Sequence, residues 1–185
     1  MNFVFIFGPQ AVGKMTIGKE LERLTEFKLF HNHMTIELLE PLFGFNVETW
    51  ELSSLFRNEI FKAAAKSNMK GLIFTYVWAF DQQEDWDFVN EIKEVFESHG
   101  VTIYFVELEA SIGERLKRNK SPNRLKHKPT KRNIKWSEYE LKETMKNHRL
   151  NSKRDEIMEK NYLKINNTNL DEKEVAELII KEFNF

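Results

Sequence analysis

Residues Gly8-Pro-Gln-Ala-Val-Gly13-Lys14 fit the pattern G-x-x-x-x-G-K and lie between an apolar run and an amphipathic one. In that setting backbone N–H groups and a helix N-terminus wrap a phosphate, while the lysine ammonium neutralises β/γ oxygens. The residues expected on nucleotide phosphates are therefore Gly8, Pro9, Gln10, Ala11, Val12, Gly13 and Lys14, continuing into Met15 and Thr16. Met15 is the departure, because such loops place a magnesium-holding hydroxyl at this position. A thioether is a soft, weak ligand and does not replace a hydroxyl on a hard cation. Thr16 can still hydrogen-bond an α-phosphate. Phosphate binding rests on backbone and Lys14, so it is expected to survive. Mg²⁺ would be held by the nucleotide's own oxygens, by water and by at most one carboxylate.

Asp81 is the candidate for that carboxylate, acting through a water. The competing reading makes it a helix cap, since Asp81-Gln-Gln-Glu84 has capping-box spacing. Glu107 and Glu109 are weaker candidates. His31 and His33 follow a short apolar stretch, Lys28–Phe30. At i, i+2 they would share a strand face at the edge where open α/β sheets bind ligands. His33 is then a candidate general base for an acceptor hydroxyl, because imidazole titrates near neutrality. Alternatively, both histidines only hydrogen-bond neighbouring loops. No third strong ligand lies nearby, which argues against a histidine-held metal. Tyr76 and Trp78 alternate at the end of another apolar run, where a flat acceptor could stack.

Charge is unevenly placed. Residues 115–135 hold ten Lys or Arg, one His and no acid, and the whole chain sums to −1, so the other 164 residues carry −11. The segment could be a solvated surface, a lid closing over a nucleotide, or a grip on a polynucleotide backbone. It holds two of the four prolines and has only Trp136 at its border for base stacking. The irregular stretch near Ser121–Thr130 reads as an insertion between helices.

The elements that must position these groups are legible. Apolar runs at Phe3–Phe7, Leu72–Val77, Val101–Leu108 and Tyr162–Ile165, with Lys28–Phe30, predict five strands buried on both faces, as in a parallel sheet. Helical spacing falls between them: Ile17, Leu21 and Leu24; Leu52, Leu55, Phe56, Ile60 and Phe61; Val89, Ile92, Val95 and Phe96; Val175, Leu178, Ile179 and Phe183. Capping-box spacings at Ser111–Glu114, Ser137–Glu140 and Asp171–Glu174 mark further helix starts. Alternation of strand and helix predicts an α/β sandwich with right-handed crossovers. With 185 residues, 41% hydrophobic, one core is expected. The chain has no cysteine and no run of membrane-spanning length, so a cytoplasmic protein without membrane contact is expected.

The phosphate loop and its context resemble the small P-loop kinases, the superfamily of nucleoside monophosphate kinases and shikimate kinases. Shikimate kinases have a pattern close to F-x-D-x-D-x-x-I-E after the second strand. Here the segment reads Leu29-Phe-His31-Asn-His33-Met-Thr-Ile36-Glu37, with both aspartates replaced by histidine. Phe56-Arg57-Asn-Glu59 resembles the F-R-x-x-E substrate helix, its glutamate one residue early. The family's Gly-rich substrate loop is absent, and Thr75-Tyr-Val-Trp78 stands in its place.

The resemblance implies a three-layer P-loop sandwich over residues 1–185, with sheet order 2-3-1-4-5, an acceptor-binding helical region at 34–68 and a lid at 112–136. It further implies an ATP- and Mg²⁺-dependent kinase acting on a small-molecule hydroxyl or phosphate. Lys14, Arg118 and Arg124 would be catalytic, joined by His33 from its own place at the sheet edge, and Arg115 and Asn167 would serve the nucleotide. Arg57 would anchor the acceptor, and His31 and Trp78, read from their places at the strand ends and not from the resemblance, would join it there. Arg149 or Arg154 would add a phosphate contact. A nucleotide binder with little or no transfer activity, acting as a switch or a resistance-type sequestering protein, is the alternative. An RNA-end kinase or binder is a third reading. Either a monomer or a homodimer is compatible.

Overall fold

The computed structural model describes residues 1–185. Five strands form one sheet, β1 (Asn2–Phe7), β2 (Lys28–His31), β3 (Gly71–Tyr76), β4 (Thr102–Glu109) and β5 (Tyr162–Asn166). Their order is β2-β3-β1-β4-β5 and every pairing is parallel, as expected from the sequence. Register sets Phe5 beside Phe74 on one side and Phe105 on the other.

Side-chain alternation along β1 builds two different cores. Phe3, Phe5 and Phe7 face an aromatic layer with Phe74, Phe61 and Phe96, while Val4 and Ile6 face an aliphatic layer with Ile17, Leu21 and Ile179. The aromatic side is covered by α3 (Val47–Ala65) and α4 (Gln83–Glu97), the aliphatic side by α1 (Lys14–Leu24) and α8 (Glu172–Phe183). Helices on both faces explain why the strands read as unbroken apolar runs.

Five further helical elements shape the site. α2 (His33–Phe43) turns at Gly44 into α3. α5 (Ile112–Asn119), α6 (Pro122–His127), a 3-10 turn at Pro129–Lys131 and α7 (Ile134–Asn147) carry the basic segment. The stretch expected to be irregular is therefore mostly helical, begun by Ser121, whose side chain accepts from the Arg124 N–H, and by Pro122 in the first turn. No helix is long and apolar enough to cross a membrane.

Capping spacings succeed unevenly. Asp171 and Glu174 form a complete capping box, and Ser111 accepts from the Glu114 N–H. Ser137 instead lies inside α7, which Asn133 caps, and its hydroxyl donates to Asn119 in the interior. Asp81 does not cap α4 either. The helix starts after Gln82, and the Asp81 carboxylate accepts from the backbone N–H of Arg149 at 2.9 Å. The stripe on α3 is broken too: Phe61 is buried, but Leu55 and Ile60 face outward because α3 packs through Phe61, Ala64 and Ala65.

Candidate functional site

The loop between β1 and α1 is shaped by two glycines. Gly8 has φ +137°, and a Cβ there would lie 2.3 Å from the Leu108 carbonyl oxygen of β4. Gly13, at φ +109°, precedes α1 and offers no side-chain cap. The N–H groups of the first helical turn, at Lys14, Met15 and Thr16, have no intrahelical acceptors, and these residues line the cavity. The loop's carbonyls are occupied from other directions. Val12 O accepts from Arg118 Nη1 at 2.9 Å and Asn167 Nδ2 at 2.8 Å, and Gln10 O accepts from Arg115 Nε at 2.9 Å. Lys14 Nζ donates to its own loop, to Gly8 O at 2.5 Å and Pro9 O at 2.8 Å. Carbonyls held outward and N–H groups left free are the arrangement that receives an anion.

Facing the loop is a cavity of about 510 Å³, walled by α2, α3, the end of β3 and the basic segment. Five cations line it, Lys14, Arg118, Arg124, Lys128 and Lys131, against one carboxylate, Glu172. Lys131 is paired with Glu140, and Arg118 with Glu114. Lys128 has only His33 Nδ1, 3.4 Å from its Nζ, and Arg124 Nε has no partner. Burial, then repulsion from Arg124 and Lys131, pushes the Lys128 amine down to about 7, with Glu37 pulling the other way. Burial lowers Arg124 to about 10. Lys14 falls well below its ordinary range through burial and the charges of Lys128, Arg124 and Arg115. His33 is held neutral by burial and by Lys128, Lys131 and Arg124. Burial and mutual repulsion therefore disfavour the charged forms of Lys14 and Lys128 in this cavity.

The two expected histidines part company. His31 ends β2, but His33 begins α2, so strand alternation does not relate them. His33 lines the cavity and His31 does not. Burial first, then Lys128, Lys19 and His127, hold His31 down to about 4. Arg57 is also turned away. Its guanidinium donates to Asn32 Oδ1 at 2.6 Å and Ser54 Oγ at 2.9 Å, and its carbon lies 5.2 Å from the Phe88 ring centroid. Asn32 lines the cavity, so Arg57 positions that wall without touching what enters.

Trp78, expected to face an acceptor, is 2% exposed and stacks on Phe80 in the aromatic core. Tyr76 takes the cavity position instead. Arg115 is buried beneath the loop and braces it through Gln10 O, lowered to about 10 by burial. Arg149 is committed to Glu156 and the Phe80 ring, and Arg154 is a surface side chain beside Asp155, so neither supplies the expected phosphate contact.

The residues missed by sequence reasoning are Lys128, Lys131, Asn32, Phe45 and Trp50, all on the cavity wall. Phe45 had one signal, an apolar residue beside Gly44, where a helix–helix turn is ordinarily polar. Lys128 had none beyond membership of a basic run.

The donor set does not fit a magnesium ion held by the protein. Met15 brings a thioether to the hydroxyl position, and Asp81 is bound to the Arg149 N–H. Glu107 is enclosed by Asn151, Ser152 and Tyr162, and no group of three metal-binding side chains exists in the structure.

No protein-family model and no curated protein matches the sequence. Solved structures do match the fold. The APS kinase of Mycobacterium tuberculosis, in complex with AMPPNP and APS, aligns with a TM-score of 0.58 at 13% identity, over 100% of this chain and 98% of that one. The shikimate kinase from Acinetobacter baumannii, in complex with shikimate, aligns at 0.58 and 16% identity, covering 100% and 93%. The tunicamycin resistance protein of Deinococcus radiodurans aligns at 0.57 and 19% identity, covering 100% and 96%. The sheet order, the loop after β1 and these structures together define the class: this chain has the P-loop kinase fold.

Proposed function

We propose that the protein is an ATP-dependent phosphotransferase acting on a small-molecule acceptor. The observation that carries this reading is the cavity itself, with an open phosphate loop on one wall, cations over it and neutral His33 on the wall opposite. Phosphoryl transfer spreads charge over the moving oxygens, so positioning and fixed positive charge supply most of the catalysis. Bound ATP supplies the phosphoryl group. Lys14 exchanges its loop carbonyls for phosphate oxygens, while Arg115, Arg118 and Asn167 hold the loop from behind. Arg124, Lys128 and Lys131 approach from the lid. Magnesium, if it accompanies ATP, rests on the nucleotide and water.

The role of His33 depends on Lys128. A charged Lys128 donates to Nδ1, which leaves Nε2–H able only to donate to the acceptor oxygen. When phosphates draw Lys128 away, the ring hydrogen can move to Nδ1, and the lone pair then left on Nε2 takes the hydroxyl proton. Base catalysis is then coupled to nucleotide arrival.

A second reading, a nucleotide binder with little transfer activity, draws on Met15 and on an acceptor wall without carboxylates. The polynucleotide reading is less well supported, because Arg124, Lys128 and Lys131 line the cavity and Arg118 is spent on the loop and Glu114. Thermal melting separates these. At ATP a hundred times its Kd, about 2.7 kcal/mol of stabilisation is expected, or roughly 5–10 °C for a chain of this size. Lys14→Ala should abolish it. Acceptor-dependent ADP release then identifies a kinase, and a shift without turnover identifies a binder. No shift with any nucleotide overturns both.

A further inference from the structure

The two halves of the cavity differ in chemistry. The cations come from the loop and the basic segment, whereas the wall built by α2, α3 and β3 offers Ile36, Phe45, Trp50, Tyr76 and Val77 with the polar groups Asn32, His33 and Thr75. No Lys, Arg, Asp or Glu from those three elements lines it. Arg57, the one cation placed to serve an anionic acceptor there, is consumed by Asn32, Ser53, Ser54 and Phe88. Lys128 reaches His33, but it belongs to the phosphate-facing cluster, with Arg124 and Lys131 beside it.

The wall's apolar groups are also poorly covered. Phe45 and Trp50 stack with ring centroids 6.1 Å apart at the cavity mouth, yet are 56% and 47% exposed. Leu42, at 73%, continues the patch along the α2–α3 turn. Apolar side chains contiguous with a cavity and left open to water mark a binding surface.

Resting on the phosphotransferase reading, we infer that the acceptor is an uncharged alcohol with an aromatic body. The ring lies against Phe45, Trp50 and Tyr76, and the hydroxyl reaches His33. Selectivity then comes from the body of the acceptor, and a carboxylate or phosphate on it contributes little.

The test is calorimetric titration of the full chain, saturated with AMPPNP, with three probes: phenyl β-D-glucopyranoside, glucose and shikimate. Phenyl glucoside is expected to bind at least about tenfold more tightly than the other two, the effect of ~1.4 kcal/mol. Phe45→Ala and Trp50→Ala, both at exposed positions, should each remove most of that preference while keeping the wild-type thermal shift with ATP. Shikimate binding as tightly as phenyl glucoside overturns the inference, as does a preference that survives both variants, or no binding of any probe. The two proposals fail separately. If phenyl glucoside binds selectively but no ADP is released, the transfer reading falls and the apolar acceptor compartment stands. If ATP shifts the melting and ADP release follows only with charged acceptors, the reverse holds.

Discussion

Replacing Lys128 by Met should move stability and nucleotide binding in opposite directions. The side chains are of similar length, and Lys128 forms no ion pair, having only His33 at 3.4 Å and the longer-range attraction of Glu37. Its amine is pushed from 10.5 down to about 7, so in the free protein its charge opposes folding at neutral pH. Conversion of that difference at about 1.36 kcal/mol per pH unit is an upper limit, because water reaches part of the side chain and screens it. About 1–3 kcal/mol is a reasonable share, which raises Tm by roughly 2–10 °C at this chain length. The same charge serves the phosphates. Losing charge-assisted hydrogen bonds worth about 1.5–3 kcal/mol weakens ATP binding by roughly 10- to 100-fold. Melting curves with and without ATP, and calorimetric titration of ATP, read both effects. A Lys128→Met protein that melts lower than wild type and binds ATP unchanged would refute the reasoning and make Lys128 a structural strut of the lid.

Two further expectations follow from the same groups. Between about 7 and 10.5 the unfolded chain keeps a proton on Lys128 that the fold has lost, so ligand-free stability should rise with pH across that window. At the acid end, His31 stays neutral in the fold down to about 4 while the unfolded chain protonates it near 6.5, so stability should fall as pH drops between those values. Urea unfolding at a series of pH values checks both slopes. Met15→Ser restores a hydroxyl at the loop position and should make ATP-induced stabilisation depend more strongly on magnesium than in wild type. Melting with ATP, with and without EDTA, measures this, and equal magnesium dependence in the two proteins would show that position 15 does not govern the metal.

The architecture was written locally. Apolar runs such as Phe3–Phe7 imply a strand wherever helices cover both faces, and G-x-x-x-x-G-K between such a run and an amphipathic helix constrains the loop's path within a few residues. The capping of α8 by Asp171 followed the same short-range logic, whereas the sheet order came from the resemblance to the P-loop kinases. Side-chain commitments between distant segments were different in kind. Asp81 meets the Arg149 N–H, Arg57 is taken by Asn32 and Phe88, and Trp78 is claimed by the aromatic core.

Nothing in the spacing of those residues distinguishes a charge free to meet a ligand from one already spent on a neighbour. His33 shows the limit most sharply: one residue of helix beginning after β2 replaced strand alternation and sent His31 and His33 in different directions. By itself the sequence determined the individual strands, the phosphate loop and the presence of a basic segment, because each depends on contiguous residues. Only the tertiary structure decided which cations face the cavity unpaired and that the opposite wall is neutral and aromatic. Those properties depend on which distant groups the fold brings within a few ångströms.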